Sequence, residues 1–165
     1  MPKPKVRLTV TLPDYPEKHS ISAGRKPGMA WRGGIYEAIR LAAEKQGVES
    51  YSDGAEIECD IRLALSATRL GLQDVDNLLK HIFDAMQGRI GGPKAKPRSW
   101  HILPNDYQIR RVTVEKVEGP QRTSGSRLIV TDYAKNQRLQ ARRKTAIQLE
   151  LVQQRRRKTV INGGT

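Results

Sequence analysis

The segment from Val75 to Met86 constrains the fold of this chain more than any other. Its apolar side chains recur at the i, i+3, i+4, i+7 spacing that places them on one face of an α-helix. They are Val75, Leu78, Leu79, Ile82, Phe83 and Met86. The spacing therefore predicts a helix that packs by this face on a core and leaves its opposite face to solvent.

The opposite face of this helix carries Asp76, Lys80 and Asp84 at four-residue spacing. At about 100 degrees per residue, these three positions span an arc of about 80 degrees that points away from the apolar stripe. Asp74 and Asn77 add a carboxylate and an amide at the helix start. Carboxylates are hard oxygen ligands of the kind that a divalent cation prefers. Alternate carboxylates in an extended segment point to one side, so Asp74 and Asp76 could both reach one ion.

A structural role competes with this interpretation. An Asp just before a helix is ordinarily an N-cap that stabilises the helix by about 0.5 to 2 kcal/mol, and Asp76 could do no more than that. Asp84 could pair with Lys80 one turn earlier, or it could support a metal ligand by hydrogen bonding, which is the role we favour. An isolated D-x-D favours the structural role, whereas the accompanying Asn77 and Lys80 favour the functional one.

The charge balance narrows the range of partners. The chain has 165 residues and a formal net charge of +13. Such an excess attracts polyanions, either nucleic acid or an anionic membrane surface. No segment pairs a basic face with a strong aromatic or Leu face, and the sequence has no signal-peptide pattern or long apolar run. We therefore expect a nucleic-acid partner, no membrane association and a cytoplasmic protein, which the single Cys59 also fits.

Alternation of apolar and polar residues predicts strands at residues 6–12, 57–65, 107–117 and 127–131. The turn at residues 119–126 suggests that the last two strands form a hairpin. A second helix is predicted at residues 35–46, closed by Gly47 at its C-cap. We therefore expect an α+β domain over residues 1–133, with a small mixed sheet of about four strands packed with two helices.

Two segments concentrate basic side chains. Residues 87–105 combine Gly and Pro with Lys94, Lys96 and Arg98, which predicts a basic loop. Residues 134–165 contain nine basic residues and one acidic residue, so +8 of the net charge lies there. We expect this C-terminal extension to be helical or disordered and to contact phosphates, which would make DNA binding more sensitive to salt.

Other residues of chemical interest carry weaker predictions. Trp31 and Trp100 are assigned to basic loops, where they could stack on exposed bases or anchor the loop to the body of the protein. The three histidines, including His81, are too scattered to form a zinc site with Cys59. We expect the histidines on the surface or in loops.

Three short motifs together resemble the RusA family of Holliday-junction resolvases. The family carries D-x-D-N-x-x-K leading into F-D-A-L, and residues 74–86 are DVDNLLKHIFDAM. Residues 105–109, NDYQI, are similar to the family's D-D-x-Q-V at the head of a strand, and residues 124–128, SGSRL, to its K-G-G-R-L-type hairpin. The resemblance covers residues 6–132, and the first motif is the most specific because four polar identities coincide with an apolar helical phase.

The resemblance implies a RusA-like fold and a metal-dependent endonuclease that resolves four-way DNA junctions in recombination and repair. By position, Asp74, Asp76 and Asp106 would hold Mg²⁺, or Mn²⁺ in its place, and Lys80 would stabilise charge on the phosphate or the leaving group. Because a junction offers two symmetry-related strands, a homodimer is expected. Weaker candidates for supporting a ligand or contacting DNA are Asn77, Asp84, Lys94, Lys96 and Arg98.

The chain also departs from the family pattern. Asn105 replaces the first Asp of D-D-x-Q-V, Met86 replaces a Leu, and residues 68–73 replace a basic run before the first Asp. Two alternative functions therefore stay open. The first is a non-catalytic nucleic-acid-binding module, which the net charge alone would explain but which leaves the aspartates unexplained. The second is a related nuclease that cuts flaps or replication forks.

Overall fold

The computed structural model of the protein describes residues 7–16, 26–92, 94–119 and 125–162. The described residues form four strands and four α-helices. In chain order these are β1 (Arg7–Thr11), α1 (Pro27–Gln46), β2 (Ile57–Leu65), α2 (Ala67–Leu72), α3 (Val75–Met86), β3 (Ile109–Glu118), β4 (Arg127–Asp132) and α4 (Tyr133–Asn162). A 3-10 turn, Asp106–Gln108, precedes β3. The predicted combination of helices with a small mixed sheet is confirmed, with α2 and α4 in addition to the two expected helices.

The four strands form one mixed sheet in the order β1-β4-β2-β3. Strand β4 is antiparallel to both β1 and β2, whereas β3 runs parallel to β2. The predicted hairpin between β3 and β4 is wrong, because β2 lies between them. The chain leaves β2 through α2 and α3 and returns in the same direction, which makes β3 parallel to β2. Strand β4 pairs with the other edge of β2 and runs antiparallel to it.

The core lies on one face of this sheet. Alternate residues of β1 and β2 are buried, as the period-two pattern of each strand requires. The helices α1 and α3 contribute their apolar stripes to the same cluster. Fully buried side chains of this cluster include Leu8, Ile57, Ile61, Leu63, Ile35, Ile39, Leu78, Ile82 and Met86. The stripe on Val75–Met86 therefore packs as its spacing predicts.

Helix α1 begins at Pro27, eight residues before the predicted start at residue 35. Its predicted end is confirmed, because Gly47 adopts the left-handed conformation (φ 63°) that closes many helices. The early start was missed because glycines in residues 28–34 are typical of loops. Yet Pro27 suits a first helical position, and Trp31 begins an apolar stripe that continues four residues later.

The chain divides into two compact units, Met1–Asp132 and Tyr133–Thr165. The second unit contains α4, a helix of 30 residues, so the extension takes the helical alternative of the two expected. Residues 141–154 of this helix are all exposed. Within the described ranges, no helix combines the length and the apolar character needed to span a membrane.

Candidate active site at the start of helix α3

A lysine on β3 holds the start of α3 in place. Ser66 caps the preceding α2 by accepting a hydrogen bond from the backbone N–H of Arg69 at 3.3 Å. The ammonium of Lys116 donates to the carbonyl oxygens of Leu70 (3.1 Å) and Gln73 (2.6 Å). These bonds fix the segment immediately before Asp74 beside the C-terminal end of β3.

The first turn of α3 presents its polar side chains to solvent. Asp74 occupies the N-cap position, but its side chain makes no capping hydrogen bond. Asp76, Asn77 and Lys80 are exposed, as is Asp74. Among the described residues, no ion pair or side-chain hydrogen bond engages Asp74, Asp76 or Lys80. The fold thus leaves two carboxylates and an ammonium available at this helix start.

The later turns of α3 carry a different polar cluster, which is engaged with α1. The guanidinium of Arg32 lies 3.0 Å from the carboxylate of Asp84, and the two side chains are only 10% and 19% exposed. The same guanidinium donates to Nδ1 of His81 at 3.2 Å and to the carbonyl oxygen of Arg89 at 3.3 Å. Asp84 therefore pairs with Arg32 of α1. Neither role that the sequence suggested for Asp84 included this partner.

His81 belongs to this cluster, so its predicted place on the surface or in a loop is wrong. Burial, reinforced by Arg32, lowers the pKa of His81, because the charged ring would lose solvent beside another cation. Since Nδ1 accepts from Arg32, the neutral ring carries its proton on Nε2. The close approach depends on Gly28, where an added Cβ would lie 2.2 Å from Nε2 of His81.

A pocket of about 520 Å³ lies beside the same cluster. Three cationic side chains and one carboxylate face it, which gives the pocket a positive balance that attracts anions. The lining comprises Met29 and Arg32 of α1, Lys80 and Asp84 of α3, and Arg89, Gly91, Gly92, Ala95 and Pro97 of the following loop. Lys94, Lys96 and Arg98 are exposed on that loop. Sequence reasoning did not include Arg32 or Arg89 among the candidate site residues.

Asp106 lies at the other end of β3 from Asp74. Asp106 is exposed in the 3-10 turn that precedes Ile109, the first residue of β3. Gln73, the residue before Asp74, is bound by Lys116 near the end of β3. At about 3.3 Å per residue, Ile109 and Lys116 are about 23 Å apart along the strand. Within the described ranges, no group of three or more His, Cys, Asp or Glu side chains is arranged to hold a metal ion. A single chain therefore places Asp74 and Asp76 at one helix start and leaves Asp106 distant from them.

Two other residues of the NDYQI motif, Asn105 and Gln108, anchor the start of β3. The backbone N–H of Asn105 donates to the side-chain oxygen of Gln108 at 3.2 Å, as part of a capping box. Gln108 is buried, and its amide donates to the carbonyl oxygens of Ser52 (2.6 Å) and Ala55 (2.9 Å). The glutamine of this motif therefore has a structural role, because it ties β3 to the segment that precedes β2.

Both tryptophans anchor elements of the fold. Trp31 is 2% exposed within α1, and its Nε1 donates to the carbonyl oxygen of Pro13 at 2.8 Å. Base stacking by Trp31 is therefore excluded in this conformation. Trp100 is half-buried with its ring edge-on to Tyr36, whose hydroxyl donates to the Trp100 carbonyl oxygen at 3.1 Å. The anchoring alternative holds for both residues.

Comparison with known proteins adds no relative: the sequence matches neither a protein-family model nor a curated protein. The resemblance to RusA resolvases therefore rests on the motif residues.

Proposed function

We propose that this protein is a metal-dependent endonuclease that hydrolyses phosphodiester bonds in branched DNA, with four-way junctions as its preferred substrate. The observation that carries this proposal is the exposure of Asp74, Asp76 and Lys80 at one helix start, beside a cationic pocket. In a chain with net charge +13, two neighbouring carboxylates without structural partners among the described residues are available to a cationic ligand.

The donor chemistry of Asp74 and Asp76 fits Mg²⁺. This ion is usually held by one or two carboxylates together with substrate phosphate oxygens, and it keeps several waters. Mn²⁺ is suited by the same oxygen ligands. When bound, such an ion would polarise the scissile phosphate and lower the pKa of an attacking water.

Lys80 and the pocket supply positive charge for the DNA backbone. Lys80 lies four residues after Asp76, so the two project from the same face of α3. Its ammonium would stabilise negative charge on the phosphoryl oxygens or the leaving group. Arg32 is held in place by Asp84 and lines the pocket together with Lys80. The pocket is suited to the phosphate next to the one that is cleaved.

The basic loop after α3 and the C-terminal extension would add contacts to the DNA backbone. Lys94, Lys96 and Arg98 are exposed on the loop that borders the pocket, and residues 134–165 carry +8. Phosphate contacts of this kind bind without sequence preference and weaken as salt rises. Two symmetry-related cuts in a junction would require a homodimer with one site for each strand.

The rival function is a non-catalytic nucleic-acid-binding module, which the charge of the C-terminal extension favours. The test is incubation of a labelled four-way junction and a linear duplex of matched sequence with Mg²⁺ or EDTA. We expect cleavage of the junction in Mg²⁺, none in EDTA and none of the duplex. A junction that is bound but intact in both Mg²⁺ and Mn²⁺ would support the module. The same assay with labelled flap and fork substrates tests the related nuclease, and faster cleavage of either than of the junction would contradict the junction preference.

A further inference from the structure

We propose that the pocket beside α3 binds one unpaired nucleotide of a DNA strand, with the phosphate on the cationic side chains of the pocket and the base on the uncharged ones. The position of this nucleotide next to the cleaved phosphate rests on the proposed function. The binding of an unpaired nucleotide does not, because it requires neither a metal ion nor cleavage.

The charged part of the pocket is suited to one phosphate. Arg32, Lys80 and Arg89 carry three positive charges and Asp84 carries one negative charge, which leaves a balance of +2. Lys80 and Arg89 are exposed and have no ion pair among the described residues. Two cations are therefore available to an anion that enters the pocket.

Arg32 supplies a donor that the fold holds in place, because its side chain is only 10% exposed. Its contacts with Asp84, with His81 and with the carbonyl oxygen of Arg89 use at most four of the five N–H groups of a guanidinium. One N–H of Nη1 therefore has no acceptor among the described residues. A donor with so little access to water is stabilised by an acceptor, and a phosphate oxygen would supply one.

The uncharged part of the pocket is suited to a base. Met29 of α1 and Ala95 and Pro97 of the loop after α3 contribute apolar surface to the lining. The volume of about 520 Å³ lies within the range of about 300 to 1,000 Å³ that is usual for small-molecule sites. A nucleotide fits this size, whereas a double helix is too wide to enter. Because a paired and stacked base cannot reach the apolar lining, the pocket selects an unpaired one.

Hydrogen bonds hold the loop that contributes to the lining. The backbone N–H of Arg98 donates to the carbonyl oxygen of Gly88 at 2.9 Å, and that of Ala95 donates to the carbonyl oxygen of Gly92 at 2.9 Å. Gly88 has a φ of 72°, a left-handed conformation that favours glycine. The loop is therefore shaped before a ligand enters, which lowers the entropic cost of binding.

Lys80 belongs both to the pocket and to the exposed polar face of α3. It lies four residues after Asp76, which is about 6 Å along the helix axis. A strand whose phosphate contacts a metal ion at Asp74 and Asp76 can therefore place a neighbouring nucleotide in the pocket. The cost of removing a base from the stack is least where the base is already unpaired. The pocket would thus favour branch points over continuous duplex.

The proposal is tested by DNA binding in EDTA, measured by fluorescence anisotropy. Three labelled substrates of matched sequence are compared: a continuous duplex, the same duplex with a one-nucleotide bulge, and the bulged duplex with an abasic bulge nucleotide. The wild type should bind the bulge about tenfold more tightly than the duplex, because the bulge adds a charge-assisted phosphate contact and a buried base. The abasic bulge should lose most of this preference. Equal affinity for the bulge with and without its base would overturn the proposal.

Two arginines of the same loop provide a matched pair of variants. Arg89 lines the pocket, whereas Arg98 is exposed on the loop outside the lining. Arg89→Ala and Arg98→Ala each remove one positive charge, so they should weaken duplex binding to a similar extent. Only Arg89→Ala should reduce the preference for the bulge, to about twofold. Equal preferences in the two variants would overturn the assignment to this pocket.

A third variant isolates the contact with the base. Met29→Ala removes apolar surface from the lining and leaves the cationic side chains in place. It should weaken binding of the bulge that carries a base and leave binding of the abasic bulge unchanged. An equal loss of affinity for both bulges would contradict a base contact at Met29.

This proposal and the nuclease fail in distinguishable ways. A preference for the bulge that depends on Arg89, in a protein that cleaves no branched DNA, would overturn the nuclease and keep the pocket. Junction cleavage in Mg²⁺ by a protein without a preference for the bulge would keep the nuclease and overturn the pocket.

Discussion

Helix α3 carries two sets of polar side chains that the fold treats differently. Asp76 and Lys80, near its start, are exposed and have no ion pair or side-chain hydrogen bond among the described residues. His81 and Asp84, further along, are partly buried and bonded to Arg32 of α1. Asp76 and Asp84 have the same side chain and lie on the same helix. Their position relative to the contact with α1 is what separates a carboxylate that stabilises the fold from one that is available to a ligand.

The largest expected effect on stability concerns the Arg32–Asp84 pair. Asp84→Asn should lower the free energy of unfolding by about 3 kcal/mol, because it leaves a buried guanidinium without its counterion. Asp76→Asn is the same chemical change on the same helix. It should change the free energy of unfolding by less than about 0.5 kcal/mol. Urea denaturation of both variants measures the difference. Equal losses of unfolding free energy in the two variants would contradict the difference between the exposed and the partly buried polar side chains of α3.

The next effect concerns the closeness of α1 to α3. Gly28→Ala should destabilise the protein by about 1 to 3 kcal/mol, because the new Cβ would collide with the ring of His81. Gly33→Ala is the matched control, since nothing lies within 4 Å of a Cβ there. The control should gain up to about 1 kcal/mol from helix propensity. Thermal unfolding distinguishes them, and a stabilised Gly28→Ala would contradict the close contact.

The smallest effect is a pH dependence of stability. The folded pKa of His81 lies below its ordinary value of 6.5, because of burial and of Arg32 and Lys80, which together outweigh the opposing effect of Asp84. The unfolded chain therefore binds the proton more readily. His81 should leave stability unchanged above about pH 6.5 and lower it as the pH falls from there to the folded pKa. The slope in this window should decrease in His81→Gln, and an unchanged slope would argue against a neutral, partly buried ring.

The sequence predicts best where one periodicity continues without interruption. Strand β2 and helix α3 have the predicted bounds, because apolar residues alternate along the first and recur at helical spacing along the second. Helix α1 was predicted only from residue 35, because glycines concealed its first two turns. Arg32, which lies in those turns, was missed for the same reason.

Long-range pairing was not predictable from local patterns. Residues 119–126 resemble a hairpin turn, yet the chain passes from one side of β2 to the other between β3 and β4. The sequence motifs likewise identify Asp74 and Asp106 as candidate ligands. They do not predict that these residues lie near opposite ends of β3. Strand order decides both points, and strand order depends on the crossover through α2 and α3.

The central claim is that the exposed carboxylates of α3 form a metal-dependent nuclease site. The most direct measurement is the rate of four-way-junction cleavage in Mg²⁺ by the wild type and by Asp76→Asn at equal folded concentration. Loss of a metal ligand removes several kcal/mol of transition-state stabilisation, so we expect the variant to be slower by at least about 1000-fold, with unchanged unfolding. Wild-type cleavage that persists in Asp76→Asn would contradict the claim.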